Sequence, residues 1–260
     1  RKMIVTQQVS IQRDGLTLHG RLDRPGDGPS PAVILFHGFA GDMGDRPGEV
    51  YQLLTEALVK AGNAVVRFDF NGHGKSQGDF PQMDPFNELE DAFAVLDYTR
   101  SLKFVTGISI LGHSQGGVIG GMLAGYCPDL IHKLCLLAPA ATLKTDAQTG
   151  RCMAAHYNPA HIPDSVKVDG VHVVGGKYFR IAQCLPIYEV TARFTGPVLD
   201  IHGVHDRIVD VSASREYARV LKHCRLVLLE DLDHGLGGAD QKEMIRLVVD
   251  FLRREPGREE

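Results

Sequence analysis

The 260-residue sequence predicts an α/β fold: a mostly parallel sheet with helices on both faces, opened by an antiparallel hairpin and interrupted by one inserted segment. Three observations carry this. Solid apolar runs alternate with segments whose apolar residues recur at helical spacing, the βαβα order that buries a parallel sheet on both faces. Two alternating segments, Val5 to Gln12 and Leu16 to Leu22, flank Asp14-Gly15, a strong short hairpin signal. Finally, the apolar run Gly107 to Leu111 leads straight into Gly112-His113-Ser114-Gln115-Gly116 and then into a helix-forming apolar stretch, Val118 to Ala124.

The elements follow in order. Ala32 to Phe36 is a continuous apolar strand, and Val50, Leu53, Leu54, Ala57 and Leu58 sit at i, i+3, i+4, i+7 and i+8, one face of a helix. Ala64 to Phe68 is the next strand. Pro85, directly after Asp84 as N-cap, opens a helix whose expected inner face is Phe86, Leu89, Phe93 and Leu96. After the strand and helix around Ser114 comes a strand Lys133 to Leu137. The sheet resumes at Pro197 to Ile201, followed by a helix near Ser212 to Leu221, a strand Arg225 to Glu230, and a last helix carrying Ile245, Val248, Val249 and Leu252.

Between about Ala140 and Val190 the rhythm breaks. Asn158-Pro159, Ile162-Pro163-Asp164 and Gly175-Gly176 punctuate it, with one short alternating piece at Val171 to Val174. A structureless connection of this length is unusual inside a compact domain. The expected organisation is a core of residues 1–139 and 191–260 with 140–190 inserted as a cap. Insertions at the carboxyl ends of parallel strands lie over the ligand site.

Composition narrows the partners. Net charge is −4 with acids and bases interspersed, which points away from nucleic acid and from anionic membrane surfaces and toward a small substrate. No stretch approaches the roughly 18 apolar residues of a membrane span. The five cysteines are scattered with no C-x-x-C, the pattern of free thiols in a reducing compartment, so a cytoplasmic location is expected. Arg1 and Lys2 read as additions before Met3, and the charged tail Arg253 to Glu260 is expected to fray.

A strand that ends in G-x-S-x-G and feeds a helix is a nucleophile elbow. Small residues two positions either side let the backbone crowd while Ser114 stands exposed at the apex. A serine hydroxyl alone is a poor nucleophile, so it needs a general base, and the base needs an orienting group. Behind an elbow the acid and then the base follow in chain order. Of twelve histidines, His234 in Asp231-Leu232-Asp233-His234-Gly235-Leu236-Gly237 follows the last strand, whereas His223 precedes it. Asp206 in Ile201-His202-Gly203-Val204-His205-Asp206 is the matching acid; Asp200 lies inside a strand, and Asp210 lies farther down the loop. His202 and His205 form H-x-x-H without a third ligand at suitable spacing, so no metal site is expected.

The backbone N–H of Gln115, the residue after the nucleophile, is the first expected oxyanion donor. The second is the N–H of Phe39, in the loop His37-Gly38-Phe39-Ala40-Gly41, which resembles the H-G loops of esterases; His37 is read as bracing that loop. Asn71-Gly72-His73-Gly74-Lys75-Ser76 lacks the spacing of a phosphate loop and is read as a structural turn.

Taken together, His37 to Gly41, Asp69 to Ser76, the Ser114 elbow, Asp206 and His234 resemble the α/β-hydrolase superfamily. Leu137 to Ala141, Tyr178 to Glu189 and Phe194 to Val198 further resemble the bacterial cinnamoyl and feruloyl esterases, over nearly the whole chain. The resemblance implies hydrolysis of feruloyl, caffeoyl, coumaroyl and chlorogenate esters, with the cap forming a slot over the aromatic acyl group. A planar phenolic acid wants an apolar slot with a few polar groups, for which the cap offers Asp146, Tyr178 and Gln183; similarity to the family favours Asp146 and Tyr178. The implied chemistry uses no metal or organic cofactor, and the implied partner is a small aromatic ester, with a homodimer as one assembly open to it. A general carboxylesterase or monoacylglycerol lipase with the same triad is the alternative. A noncatalytic hydrolase-fold binding protein would be expected to carry a damaged triad, and a peptidase to carry an added domain.

Overall fold

The structure is a computed structural model that describes residues 5–253. The readings of Arg1, Lys2 and the tail beyond Arg253 lie outside the described residues. Among the described residues no helix is long and apolar enough to cross a membrane, and all five cysteines are free.

Eight strands form one sheet in the order β1-β2-β4-β3-β5-β6-β11-β12. β1 (Val5–Arg13) and β2 (Leu16–Arg24) pair antiparallel across Asp14 and Gly15, both at positive φ (45° and 82°), the backbone that a two-residue hairpin turn demands. β2 then pairs antiparallel with β4 (Ala64–Phe68). From there β3 (Ser30–Phe36), β5 (Val105–His113), β6 (Leu134–Leu137), β11 (Val198–Gly203) and β12 (Cys224–Leu229) run parallel.

Their side chains divide between two apolar cores. Ile34, Phe36, Val66, Phe68 and Ile110 face α2 (Pro85–Ser101) and α3 (Gln115–Tyr126), while Val33, Leu35, Val65, Leu111 and Ile201 face α1 (Val50–Lys60) and α8 (Gln241–Leu252). Each such side chain, wholly removed from water, contributes about 1.5–3 kcal/mol. α3 is buried on every side as far as Gly125, where glycine admits close approach of α6 (Ile187–Thr191), since a Cβ there would overlap the Val190 carbonyl.

α2 starts as expected: Asp84 accepts from the Asn87 N–H and the Asn87 side chain accepts from the Asp84 N–H. Its inner face differs from the expected one. Phe86 and Phe93 are 51% and 38% exposed, and the buried stripe is Leu89, Ala92, Val95 and Leu96 together with Glu88 and Asp91. The helix is rotated so that two carboxyl groups reach buried partners. Asp91 accepts from Asn71 and Arg13, and Glu88 accepts from Gln115.

Between β6 and β11 the chain forms α4 (Thr142–Thr149), the two-residue strands β7 (Arg151–Cys152) and β8 (Ala155–His156), the pair β9 (Ser165–Lys167) and β10 (Val173–Gly175), and α5 (Gly176–Ala182). A third apolar cluster holds these together around Val166, Val174, Tyr178 and Phe179. The return to the main core comes at Leu185 and Ile187, a few residues before the expected boundary at 190, because α6 already packs on α3. The last helix before β12, α7 (Ser212–Val220), lies beside β11.

Candidate active site

The sheet order fixes where a site can form. The connection from β3 leads outward to β4, and the chain returns to place β5 on the other side of β3, so the loops after β3 and β5 diverge around a crevice at the carboxyl edge. Ser114 lies in that crevice, between β5 and α3. Its backbone is at φ 57°, ψ −125°, a region that costs a non-glycine residue about 1–3 kcal/mol and persists only when the surroundings impose it. The surroundings do. A Cβ at Gly116 would overlap the carbonyls of Phe36 and His37, and one at Gly112 would press on the Gly116 carbonyl, so the turn closes only with glycine at both positions.

Ser114 Oγ lies 2.8 Å from His234 Nε2, and His234 Nδ1 lies 2.7 Å from Asp206 Oδ2. Asp206 follows β11, His234 follows β12, and the two loops touch closely enough that a Cβ at Gly203 would overlap the Leu232 carbonyl. Asp206 Oδ1 accepts from the N–H groups of Ile208 and Val209 at 2.8 and 2.9 Å. Burial alone would raise the Asp206 carboxyl; hydrogen bonds from His202, His234 and Val209 outweigh it and hold the group well below the usual carboxylate range. An ionised Asp206 accepts the hydrogen bond from His234 Nδ1–H, which fixes the tautomer and leaves Nε2 free to accept from Ser114.

The loop after β3 is braced by its histidines. His37 Nε2 accepts from the Phe70 N–H at 3.0 Å, so Nδ1 carries the proton and donates to the Gly38 carbonyl at 2.7 Å. His73, in the turn Asn71 to Ser76, accepts from the Ala40 N–H through Nε2 at 3.2 Å. Burial lowers both rings to about 4, which keeps them neutral. Gly38 lies against Ser114, where an added Cβ would stand 3.2 Å from the serine Cβ. Among the described residues no group accepts from the Phe39 N–H, and the Gln115 N–H, at the first position of α3, is one that a helix leaves unpaired. Both amides flank Ser114 with their donors uncommitted.

Two bonded chains behind these groups join residues far apart in sequence. The Gly38 N–H donates to Tyr51 Oη (3.3 Å), Tyr51 Oη donates to His113 Nδ1 (2.6 Å), and His113 Nε2 donates to the His234 carbonyl (2.7 Å). The direction is forced, because a carbonyl can only accept; burial holds His113 at about 4, neutral as the chain requires. In the other chain, Gln115 Nε2 donates to Glu88 Oε1 and Gln115 Oε1 accepts from Tyr178 Oη at 2.6 Å. Tyr51, His113 and Glu88 carry no local sequence signal, since their partners lie 13 to 121 positions away.

Ser114 opens on a cavity of about 510 Å3 whose wall is mostly contributed by the segment between β6 and β11, including Leu143, Asp146, Ala147, Cys152, Met153 and Tyr178. Phe39 reaches it from the loop after β3 and stacks edge-on with Phe80 and Tyr178. Asp146 lines it and pairs with Arg151 at 3.0 Å. Tyr178 lines it too, with its hydroxyl proton already given to Gln115. Gln183 does not: its amide donates to the carbonyls of Ala147 and Pro159, both at 3.1 Å, and so ties α4 to the loop after β8. The expectation of a Gln183 contact with substrate is corrected accordingly. Burial pushes the Cys152 thiol up to about 12, so this thiol in the cavity wall stays protonated.

His202 and His205 point apart. His202 is buried against Asp206 and Ser214, and His205 lies on the surface beside Glu230.

A serine on a strained strand-to-helix turn, bonded to a histidine and through it to a buried carboxylate, all at the carboxyl edge of a parallel sheet, defines a serine hydrolase of the α/β-hydrolase class. Within that class residues 27–167 match the family described as "Serine aminopeptidase, S33", and the chain belongs to that family. Among solved structures it is similar to Est1E from Butyrivibrio proteoclasticus bound to ferulic acid, at 33% identity, with a TM-score of 0.89, covering 94% of this chain and 97% of that one. It is 27% identical to the human serine hydrolase BPHL over 96% of this chain and 87% of that protein. A 115-residue stretch, 44% of this chain, is 30% identical to the dihydrolipoyllysine-residue acetyltransferase component of the acetoin cleaving system of Pseudomonas putida, of which it spans 28%.

Proposed function

We propose that the chain is a serine esterase that hydrolyses hydroxycinnamate esters through an acyl-enzyme. The observation that carries the reading is the bonded series Ser114, His234, Asp206 facing a largely apolar cavity. In this reading His234 Nε2 takes the Ser114 proton as Oγ bonds to the ester carbonyl carbon. The Phe39 and Gln115 N–H groups receive the oxyanion, an interaction of about 3–4 kcal/mol per donor in the transition state. His234 then gives its proton to the departing alkoxide as the ester C–O bond breaks. Water, deprotonated by His234, attacks the acyl carbon, and His234 returns that proton to Ser114 Oγ as its bond to the acyl group breaks, freeing the acid and the serine hydroxyl. Asp206 holds the ring orientation and balances the imidazolium at each transfer.

Support for an aromatic acyl group comes from the likeness to a structure that holds ferulic acid and from the wall itself. Phe39, Leu143, Ala147 and Phe179 offer apolar surface, and Asp146 offers a carboxylate acceptor for a phenolic hydroxyl. Tyr178 Oη, its hydrogen committed to Gln115, keeps a lone pair that can accept from a second hydroxyl such as a caffeoyl group carries.

The test compares kcat/KM for methyl ferulate, methyl caffeate and chlorogenic acid with p-nitrophenyl butyrate and a long-chain monoglyceride, with Ser114→Ala as blank. Preference for the phenolic esters is the expected result. Preference for the alkyl esters would keep the triad and replace the aromatic slot with the general carboxylesterase or monoacylglycerol lipase reading.

A further inference from the structure

Behind Asp206 lies a buried polar cluster that the steps above leave unused. His202 and Ser214 are fully buried, as is Asp200 in the middle of β11. His202 Nε2 lies 2.9 Å from the Val209 carbonyl and 3.2 Å from Asp206 Oδ2, the oxygen that also binds His234. His202 Nδ1 lies 2.7 Å from Ser214 Oγ, and Ser214 Oγ lies 2.8 Å from Asp200 Oδ1.

Proton counting restricts what this cluster holds. The Val209 carbonyl and the ionised Asp206 can only accept, so His202 Nε2 carries hydrogen. The single hydroxyl hydrogen of Ser214 then goes one of two ways. If it points to Asp200, His202 Nδ1 must donate to Ser214 and the ring is an imidazolium. If it points to His202 Nδ1, Asp200 must itself be protonated and donate to Ser214. In both cases the three residues hold one proton more than a neutral imidazole and an ionised carboxyl would. Without it, two lone pairs face each other in a buried site, at a cost of the order of an unmade buried hydrogen bond.

We infer that His202 is a positioning residue for Asp206, its Nε2–H fixing the carboxylate that orients His234, with Asp200 and Ser214 behind it storing the proton that keeps this donor in place. Burial pushes the Asp200 carboxyl up to about 7, in keeping with the arrangement in which Asp200 holds that proton. A side chain serving only to fill space would need neither a donor at Nε2 nor a polar chain behind Nδ1; this one satisfies both nitrogens on a face of the sheet otherwise built from Val198, Val209, Ala213 and Tyr217.

The inference rests on the triad reading, and a double-mutant cycle separates the two. His202→Leu is expected to lower kcat on the preferred ester about 10- to 100-fold, as when an outer partner of a functional group is removed, with KM within about twofold. In an Asp206→Asn background the same substitution should change kcat less than about twofold, because the group it positions is gone. His202→Gln, which keeps an N–H donor, should lose less than His202→Leu, and Asp200→Asn, which imitates the protonated acid, should lose less than Asp200→Leu. Equal losses in both backgrounds, or an unchanged kcat in His202→Leu, would overturn the inference while leaving the triad standing. An Asp206→Asn variant with wild-type kcat would overturn the triad reading itself. Should His202→Leu fail to fold, Ser214→Ala removes one hydroxyl only, and its kcat loss, absent in the Asp206→Asn background, decides the same question.

Discussion

Two walls face each other across the cavity, and they are built on different principles. On one side Ser114, Asp206 and the Phe39 loop hang from the buried ends of β3, β5 and β11, His234 follows the half-buried edge strand β12, and their polar atoms are tied to one another by chains whose donor direction is forced. On the other side stand short helices and two- or three-residue strands, with an Asp146–Arg151 pair in which the arginine side chain is 56% exposed. An exposed pair of that kind contributes about 0–1 kcal/mol. The first wall has almost no freedom to change without losing geometry. The second can exchange side chains at small cost to the fold, and that is where selectivity between substrates is expected to reside.

Substitutions on the two walls should therefore fail differently. The largest effect is expected for Ser114→Ala, a fall in kcat of about a millionfold with loss of covalent labelling by a fluorophosphonate, read by mass spectrometry. Retained turnover or labelling would break the first half of the comparison. Asp206→Asn should lower kcat by about 10,000-fold with little change in KM, since it places the wrong donor against His234 Nδ1. On the opposite wall, Asp146→Asn should raise KM for hydroxycinnamate esters about tenfold, the scale of one charged hydrogen bond, and leave p-nitrophenyl butyrate unchanged. An equal loss of kcat on both substrates would show that Asp146 belongs functionally with the first wall.

The smallest effect concerns stability. Burial pushes the Glu88 carboxyl up to about 8, from an ordinary value near 4.5. The folded protein therefore holds this proton through a pH range in which the unfolded chain has released it, and the stability it contributes is lost as pH rises from about 4.5 through 8. Glu88→Gln keeps an acceptor for Gln115 and removes the titration. Its unfolding midpoint should gain on the wild type progressively across that window, by about 2–4 °C for each kcal/mol. A constant difference between the two proteins from pH 5 to 8.5 would show that Glu88 is ionised in the fold.

The sheet and the series Ser114, His234, Asp206 were legible in the sequence because each has a local signal: apolar runs, a glycine-bounded elbow, and loops after the last two strands. α2 shows where local signals stop. Its apolar residues alone select Phe86 and Phe93 for the core, but the buried partners of Glu88 and Asp91 turn the helix away from them. Gln183 shows the same limit from the other direction. Its chemistry suits a ligand contact, and only the positions of the Ala147 and Pro159 carbonyls reveal that it serves the fold. In the sequence His202 reads only as half of an H-x-x-H with His205; what it bonds depends on Ser214, twelve positions away on a helix.

The chain of bonds from Gly38 through Tyr51 and His113 to the His234 carbonyl also bears on how the protein breathes. A loop held by one carbonyl to a buried ring cannot open without releasing that ring, and the ring in turn holds the hydroxyl that anchors the opposite loop. Amide exchange at Gly38 should thus proceed by the same opening event as exchange in residues 231–238, with a shared rate and a shared response to denaturant. Fluctuations that would otherwise let water reach the serine from either side are coupled into one rarer event.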